Sequence, residues 1–364
     1  MLNWVVSNHV QHDSTELSSH GENSKFGLNA CNFRLLSLLI WHTPQNRGII
    51  ERMEKECNAI GFAESMKKSV KSVFCGSDEA VHLSVLALAA SLHVLIEDVP
   101  GVGKTTLAKA LAQAAGLSFS RIQFTPDMLP GDVLGMNVWV PSKNEFVYKE
   151  GSVFAQCILA DELNRTSPRT QSAFLEAMQE KQVTVDGTTR KLPEPFFLIA
   201  TQNPQSFAGT FPLPEAELDR FGLSFSIGYP SKQDEIAILN TDSEKSISPV
   251  ADEKTVLAVQ DAVRKIHVSQ AVQQFIVDII YGTRNDKLVT LGASPRASKY
   301  LQQAAKAQAF FEGRDFVMPE DVLSICVPVL RHRIIISSAA RLDGMNTGDV
   351  IKAISRNVAI PSGV

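Results

Sequence analysis

The sequence predicts an α/β fold in which helices cover both faces of a parallel sheet, followed by an all-helical second domain. Short apolar runs alternate with helical segments between residues 92 and 201, which is the pattern of strands buried on both faces. After Tyr229 and Pro230, every segment with regular apolar spacing is helical. A chain of 364 residues is long enough for two domains. We therefore predict an α/β core over residues 53–230 and a helical domain over residues 231–364.

The elements follow one another in a simple order. The predicted strands are Leu92–Glu97, Ser118–Phe124, Cys157–Asp161 and Phe196–Thr201, with helical spacing over residues 54–90 and from Lys104 to about Ala115. The later predicted helices are Ser231–Asn240, Asp252–Ile266, Ala271–Thr283, Pro295–Phe311 and Pro319–Val329. Ser231 followed by Asp234, and Pro319 in a first turn, are typical helix starts.

Two hairpins are predicted between the strands of the core. Met136–Val140 and Glu145–Lys149 alternate about a Pro-Ser-Lys-Asn loop. Gln182–Val185 and Thr188–Leu192 flank an Asp-Gly pair, which is a strong signal for a hairpin turn.

Residues 1–52 differ from the rest of the chain. They contain four of the eight histidines and two of the three tryptophans, without sustained helical or strand spacing. A clean amphipathic pattern begins after Met53, so we hypothesise that translation starts there and that residues 1–52 are upstream read-through or a dispensable tail. Mass spectrometry that found Trp4 in the native protein would contradict this hypothesis.

The composition narrows the class of protein. Hydrophobic residues make up 44%, charged residues 20%, and the net charge is −4, which disfavours a nucleic-acid protein with a broadly basic surface. The five cysteines are dispersed and odd in number, so we expect reduced thiols and a cytoplasmic location. No apolar run reaches the roughly 20 residues of a membrane helix, and we expect no direct membrane insertion.

The strongest motif is Asp98-Val99-Pro100-Gly101-Val102-Gly103-Lys104-Thr105, which follows a strand and opens a helix. In that context backbone N–H groups and the positive end of the helix dipole converge on phosphate oxygens. We predict that the segment from Val99 to Thr106 binds ATP. In it, Lys104 would contact the β- and γ-phosphates and Thr105 would be a Mg²⁺ ligand. Asp98 replaces the usual first glycine, so its carboxylate must point away from the triphosphate.

The apolar strand Cys157–Asp161 ends in two acids. Held rigidly beside the phosphate loop, Asp161 would support Mg²⁺, and Glu162 would polarise the water that attacks the γ-phosphate. The next strand leads to Asn203, whose amide would orient that water and sense the γ-phosphate. An ordinary Asn-Pro turn is the alternative interpretation of Asn203.

Two arginines complete the candidate site. Arg220 ends a short helix, and we predict that it stabilises transition-state charge on the nucleotide of a neighbouring subunit. A surface salt bridge with Asp219 or Glu217 is the alternative. Arg296 lies in the first turn of a helix, where the dipole disfavours a cation by roughly 0.3–1 kcal/mol. We predict bound phosphate as its partner, in the same subunit or in a neighbouring one.

These motifs occur in the order and approximate spacing of an AAA+ ATPase, and longer stretches resemble the MoxR family. The similarity covers about residues 54–360 and is carried by Arg121–Asp127, Leu159–Gln171, Ala200–Pro204, Phe211–Ala216 and Val329–Arg333. Leu163 and Glu217 depart from the family pattern, in which Ile and Gln are expected, and we expect neither to touch the chemistry.

The resemblance implies a five-stranded parallel αβα core, a helical lid, nucleotide bound between them, and ring-shaped homo-oligomers, expected to be hexamers. It implies that Arg169 faces a neighbour's active site and that the two hairpins line the pore of the ring. Phe146, Val147 and Tyr148 would contact a substrate there, unless they only pack within their hairpin. MoxR-like proteins are chaperone-like factors whose partners often carry von Willebrand factor A domains.

The predicted function is Mg²⁺-dependent ATP hydrolysis that drives remodelling, maturation or activation of partner proteins. The alternatives are a nucleic-acid-directed motor or loader, a slow nucleotide-gated regulatory scaffold, and a subunit of a magnesium-chelatase-like complex. The chain has no recognisable nucleic-acid module, which disfavours the first alternative. The presence of Lys104, Asp161, Glu162 and Asn203 argues against an inactive site.

Overall fold

A computed structural model describes residues 60–203, 209–240 and 247–361. The predicted leader, residues 1–52, and the hypothesised start at Met53 lie outside these ranges. The described residues belong to one compact unit that spans residues 55–364.

Within the described ranges, the helices are α1 (60–71), α2 (Asp78–Ala89), α3 (Lys104–Ala114), α4 (Pro130–Leu134), α5 (Pro168–Glu180), α6 (Glu215–Leu218), α7 (Lys232–Leu239), α8 (Glu253–Arg264), α9 (Gln270–Asn285), α10 (Pro295–Phe311), α11 (Pro319–Leu330), α12 (Ser338–Leu342) and α13 (Thr347–Asn357). The strands are β1 (Val94–Glu97), β2 (Phe119–Gln123), β3 (Gly135–Val140), β4 (Glu145–Glu150), β5 (Cys157–Asp161), β6 (Gln182–Val185), β7 (Thr188–Lys191), β8 (Phe197–Gln202), β9 (Leu223–Phe225), β10 (Val289–Leu291) and β11 (Ile335–Ile336).

Five strands form the central parallel sheet, in the order β2–β5–β8–β1–β9. Leu159 and Ile199 enter the hydrophobic core on one face of this sheet, whereas Ile158 and Leu198 enter the core on the other face. All four side chains are fully buried. Because both faces are covered, these strands read as continuous apolar runs. The predicted αβα parallel core is confirmed.

One predicted helix is interrupted. The single helix expected over residues 54–90 is wrong at residues 72–77, which separate α1 from α2. Phe74, in this break, is 2% exposed, and a Cβ added to Gly103 of the phosphate loop would lie 3.2 Å from its ring. Ser77 then caps α2 by accepting from the N–H of Ala80 (3.2 Å). Burial of Phe74 against the loop therefore overrides the helical spacing.

The helical lid is confirmed. Ser231 and Asp234 form the expected capping box at the start of α7, each accepting the other's backbone N–H at 3.2 Å. The lid also contains the antiparallel pair β10–β11, whose strands of 3 and 2 residues are too short for an alternating pattern to reveal. No helix in the described ranges combines the length and the apolarity needed to cross a bilayer.

The boundary near residue 230 stays a prediction. A single hydrophobic cluster contains both Leu159 of β5 and Ile279 of α9, so the sheet and the lid share part of one core. The buried amide of Gln260 on α8 also donates to the backbone carbonyl of Leu88 on α2 (2.9 Å).

Both predicted hairpins are present and contact each other. β3 pairs with β4, and β6 pairs with β7. Asn137 donates to the carboxylate of Asp186 (2.6 Å). The guanidinium of Arg190 lies 3.7 Å from the ring centroid of Tyr148, at the distance of a cation–π contact. These contacts tie the two hairpins into one surface feature.

Asp98 ties the end of β1 to the segment after β9. Its Oδ2 accepts the backbone N–H groups of Ile227 and Gly228, both at 2.7 Å, and its Oδ1 accepts that of Val99 (2.8 Å). The carboxylate is buried and is satisfied by these amides. The expectation that it points away from the phosphate site is met by this arrangement.

We predict that Asp98→Ala lowers the free energy of unfolding by about 1–3 kcal/mol, because buried N–H groups lose their acceptor. Urea denaturation followed by circular dichroism measures the change. Asp278→Ala, which removes an exposed carboxylate bonded to Gln274, serves as the control and should shift stability by only about 0.5 kcal/mol or less. Equal effects of the two substitutions would contradict the structural role of Asp98.

His93 makes stability depend on pH. Its Nδ1 accepts the backbone N–H of Leu198 (3.2 Å), and burial, helped by Lys181, lowers the pKa of His93 from 6.5 to about 4. Because this pKa is lower in the folded protein than in the unfolded chain, protonation favours unfolding. Stability is therefore lost as the pH falls from about 6.5 to about 4.

We predict that His93→Asn, which keeps an acceptor for Leu198, reduces the stability difference between pH 7 and pH 5 by about 1–2 kcal/mol. Urea denaturation at the two pH values measures the difference. Burial also lowers the pKa of His332, so some pH dependence should remain. His267→Asn, at an exposed position, is the control, and an unchanged pH dependence in His93→Asn would show the prediction to be wrong.

Candidate active site

The phosphate loop joins β1 to α3. Gly101 and Gly103 both have φ of +86°, in the left-handed region that residues with a Cβ rarely adopt. Among the described residues, no side chain caps α3, so its first-turn N–H groups keep the donor capacity that binds anions at helix N-termini. A Cβ at Gly101 would meet no atom within 4 Å. The glycines thus shape an open loop whose backbone can approach a phosphate.

Lys104 brings a positive charge to this loop. Its Nζ donates to the backbone carbonyl of Asp98 (2.6 Å). Burial lowers the pKa of Lys104, while the negative charges of Asp98, Asp161 and Glu162 oppose this shift. The ammonium is therefore held at the base of the loop, in the field of the carboxylates at the end of β5.

The carboxyl ends of β2, β5 and β8 open beside the loop into a cavity of about 400 Å³. Its lining consists of Pro100, Gly101, Gly103, Lys104, Thr105, Arg121, Gln123, Asp161, Glu162 and Asn203. The predicted residues of the loop, of the acidic strand end and of the following strand therefore meet in one place. Val99, Val102 and Thr106 belong to the predicted set but are outside this lining, and Val102 is buried in the core.

Asp161 is oriented by two side-chain donors. The hydroxyl of Thr201 donates to its Oδ1 (2.7 Å), and Arg121 donates to its Oδ2 (2.7 Å). The same hydroxyl accepts the backbone N–H of Glu162 (2.9 Å). Thr201, at the end of β8, thus holds the two acidic residues at the end of β5 in register.

Glu162 leaves the strand in a left-handed conformation, with φ of +55°. This departure directs the chain away from the sheet, and the carboxylate is held by two donors. Gln123 on β2 donates to its Oε2 (3.0 Å), and Arg165 donates to the same oxygen (2.8 Å). The carboxylate therefore lies in a polar cage on the cavity wall.

The two predicted arginines lie outside the lining of this cavity within the described structure. The Nε of Arg220 is 2.8 Å from the Oε2 of Glu217 without the alignment of a hydrogen bond, and its Nη1 donates to the carbonyl of Leu175 (3.2 Å). Arg296 is 3.8 Å from the carboxylate of Asp219. Within one chain, Arg220 thus makes the ion pair with Glu217 that was the alternative interpretation.

Sequence reasoning assigned no role to Arg121, Gln123 or Thr201. Arg121 and Gln123 are two residues apart on β2, a spacing that places both on one face of a strand. Gln123 pairs with Asp161 in the sheet. Polar residues at a strand end were the available signal, but the neighbour relation of β2 and β5 is not visible in the sequence.

The sequence matches two protein families along its length. Residues 93–223 match the ATPase family associated with various cellular activities (AAA). Residues 281–354 match the AAA lid domain. The first match contains the phosphate loop and the acidic end of β5, and the second contains α10 and α11.

Individual relatives cover most of the chain. It is 42% identical to the protein YeaC of Bacillus subtilis over 80% of this chain and 92% of that protein. It is 38% identical to chaperone MoxR1 of Mycobacterium tuberculosis over 80% of each chain. Protein MoxR of Methylorubrum extorquens is 26% identical over 82% of this chain and 95% of that protein.

A solved structure has the same fold. The crystal structure of a candidate ATPase from Cytophaga hutchinsonii superposes with a TM-score of 0.79 at 35% identity, over 86% of this chain and 99% of that one. Sequence, fold and the convergence of the phosphate loop with the acidic strand end agree on a nucleotide-using enzyme that hydrolyses ATP. The chain belongs to the MoxR family of AAA+ ATPases.

Proposed function

We propose that this ATPase works with Mg²⁺ as a ring of identical subunits, expected to be hexamers, and that its cycle remodels, matures or activates partner proteins. The observation that carries the proposal is the meeting of Lys104, Thr105, Asp161, Glu162 and Asn203 at one cavity. Together these residues supply the cation, the metal ligands, the base and the polar amide that ATP hydrolysis requires.

ATP would bind along the phosphate loop, from Val99 to Thr106. The open face at Gly101 leaves room for phosphate oxygens. Lys104 would neutralise charge on the β- and γ-phosphates, and its partial burial strengthens that attraction because the local dielectric constant is lower than that of water. The Oδ2 of Asp98 accepts backbone amides of the segment after β9, which directs this oxygen away from the loop.

The donor set fits Mg²⁺, which binds through few carboxylates together with substrate phosphates. Thr105 and Asp161 line the same cavity and would hold the ion. Thr201 and Arg121 orient the carboxylate of Asp161. When bound, the ion would neutralise charge on the phosphates.

Glu162 would accept the proton of the attacking water. To do so its carboxylate must turn from Gln123 and Arg165 toward the γ-phosphate. Asn203, on the same cavity wall, would orient the water and sense the γ-phosphate. The base and the amide would thus act from the ends of two adjacent strands.

Arg220 would act on the nucleotide of the neighbouring subunit. Its position outside the cavity lining of its own subunit supports a role across an interface, because an arginine finger must reach the transferred phosphoryl group. Arg296 would contact phosphate from the lid, and the exposed Arg169 at the start of α5 would face a neighbour's site. The roles of Arg220 and Arg169 need the ring, which would give the ATPase a shared active site, whereas Arg296 could act in its own subunit or in a neighbouring one.

The exposed surface of the β3–β4 hairpin supports a role in binding protein partners. Trp139 and Phe146 at the tip of the β3–β4 hairpin are 45% and 69% exposed and stack with ring centroids 5.2 Å apart. Clustered exposed aromatic residues mark contact surfaces. The mycobacterial relative is named a chaperone, which supports a chaperone-like role here. Proteins with von Willebrand factor A domains are the proposed client class.

A reducing, cytoplasmic location is also proposed. Cys75, Cys157 and Cys326 are free thiols, and burial raises the pKa of Cys157 to about 12. Buried neutral thiols of this kind are chemically inert. They are typical of proteins kept in a reducing compartment.

We predict that Lys104→Ala weakens ATP binding and that Glu162→Gln binds ATP but loses turnover by about 10²–10⁴-fold, the contribution of a general base. Titration with a fluorescent nucleotide measures binding, and phosphate release measures turnover. Glu64→Gln, at an exposed residue of α1, is the control. Full turnover by Glu162→Gln would remove Glu162 from its proposed role.

We predict that Arg220→Ala keeps ATP binding but loses about 10³-fold or more in kcat, the contribution of an arginine finger. An equimolar mixture of Arg220→Ala and Glu162→Gln subunits should regain activity, because the second type supplies the arginine that the first type lacks. Phosphate release at increasing protein concentration measures the recovery. Arg264→Ala, at an exposed residue paired with Asp261, is the control, and a mixture without recovered activity would contradict action between subunits.

A further inference from the structure

An ion pair between a buried arginine and a half-buried aspartate connects the lid to the segment that carries Arg220. Arg333, just after α11, has a side chain that is 1% exposed, and its Nε donates to the Oδ1 of Asp219 (2.9 Å). The hydroxyl of Ser294, at the start of α10, donates to the Oδ2 of the same carboxylate (2.8 Å). Asp219 is therefore held by two separate parts of the lid.

The lid also holds the backbone that follows Asp219. The hydroxyl of Tyr300 donates to the carbonyl of Arg220 (3.2 Å). Arg333 donates through Nη1 to the carbonyl of Gly222 (3.3 Å) and through Nη2 to that of Phe221. All these contacts fall on the short connection between α6 and β9, so a displacement of the lid must move this connection or break them.

The pair is costly to separate. Burial lowers the pKa of Arg333 to about 10, and the charge of Asp219 opposes that shift. Removing Asp219 would leave the buried cation of Arg333 without compensation. The cation also lies 5.0 Å from the ring centroid of Tyr300. Asp219 and Arg333 are thus expected to move together.

A second lid arginine approaches the same carboxylate. Arg296, for which we propose a contact with bound phosphate, is 3.8 Å from the Oδ2 of Asp219. Asp219 directly precedes Arg220, the residue proposed to act in the neighbouring subunit. Asp219 therefore neighbours both arginines that the proposed function assigns to bound nucleotide: Arg296 in space and Arg220 along the chain.

We propose that Asp219 is a positioning residue, held by Ser294 and Arg333, through which the lid of one subunit sets the place of Arg220 and thereby the rate of hydrolysis in the next subunit. This inference rests on the proposed action of Arg220 between subunits. In this arrangement, a lid movement in one subunit changes the active site of its neighbour, which couples successive sites around the ring.

The test uses two kinds of subunit. The donor carries Glu162→Gln, so it supplies Arg220 but does not hydrolyse ATP. The acceptor carries Arg220→Ala, so it hydrolyses ATP only with a neighbour's arginine. Ser294→Ala, which removes the hydroxyl donor to Asp219, is then added either to the donor or to the acceptor before the two are mixed.

We expect Ser294→Ala in the donor to lower the kcat of the mixture by about tenfold, because a misplaced catalytic group loses rate steeply with distance. The KM for ATP should stay unchanged, because hydrolysis occurs only in the acceptor sites, whose phosphate loops are unaltered. The same substitution in the acceptor should lower kcat by less, because the acceptor has no Arg220 to position and Ser294 can act there only through Arg296, whose backbone N–H it accepts (3.1 Å). Steady-state phosphate release over a range of ATP concentrations measures both constants.

A matched control separates positioning from the loss of a helix cap. Ser294 accepts N–H groups in the first turn of α10, and Ser269 caps α9 in the same way through the N–H of Val272 (3.3 Å). Ser269→Ala in the donor should leave the kcat of the mixture unchanged. An equal fall in kcat from Ser269→Ala and Ser294→Ala would overturn the proposal.

Tyr300→Phe provides a second variant that keeps the aromatic ring beside Arg333 and removes the bond to the carbonyl of Arg220. It should lower kcat from the donor and not from the acceptor. If either variant acts equally from both subunits while the parent mixture is active, the positioning role is wrong and the action of Arg220 between subunits stands. If the parent mixture is inactive, the proposed role of Arg220 is wrong and this inference falls with it.

Discussion

The parallel pairing of β1, β5 and β8 is the constraint on which the active site depends. Ile199 of β8 lies beside Val94 of β1 on one side and beside Leu159 of β5 on the other. Because the three strands run in the same direction, their polar carboxyl ends reach the same edge of the sheet, where ligands bind in open α/β folds. Their interiors are apolar on both faces, so the polar groups that follow them gather at this edge. The phosphate loop, the acidic pair and Asn203 meet there for that reason.

Asp98 and Asp161, both at this edge, have different roles because different groups donate hydrogen bonds to them. Asp98 is buried and accepts backbone N–H groups of the segment after β9. It has a structural role, because it connects that segment to the end of β1. Asp161 accepts from the side chains of Thr201 and Arg121 and also lines the cavity. Side-chain donors can rearrange when a ligand arrives, whereas the backbone donors to Asp98 are held by the chain segments that follow β1 and β9. The carboxylate of Asp98 thus has a structural role, whereas the carboxylate of Asp161 stays accessible to a ligand.

The lid is connected to the core by a shared hydrophobic cluster and by polar contacts, several of which fall on the connection between α6 and β9. The hydrophobic part of this connection is one cluster with residues from both the sheet and the lid, and such packing tolerates small sliding movements. Arg333 is buried and donates a directional bond to Asp219, so a displacement of the lid would reach the backbone beside Arg220. The β3–β4 hairpin exposes Trp139 and Phe146, the aromatic residues proposed to contact partner proteins. A tightly held connection beside Arg220 and an exposed aromatic surface on the hairpin are the two features that the proposed remodelling of partners would use.

The sequence by itself determined the parts of this protein that depend on neighbours along the chain. The phosphate loop, the acidic strand end, the hairpin turn at Asp186 and the capping box at Ser231 were recognised because residue types at fixed spacing impose one local geometry. The helix expected across residues 72–77 failed because Phe74 packs against a loop that lies far along the chain. Only the tertiary structure placed Gln123 beside Glu162, Asp98 on the amides after β9, and Asp219 between two lid segments. These contacts join positions remote in sequence, and the order of strands that creates them leaves no periodic trace in the sequence.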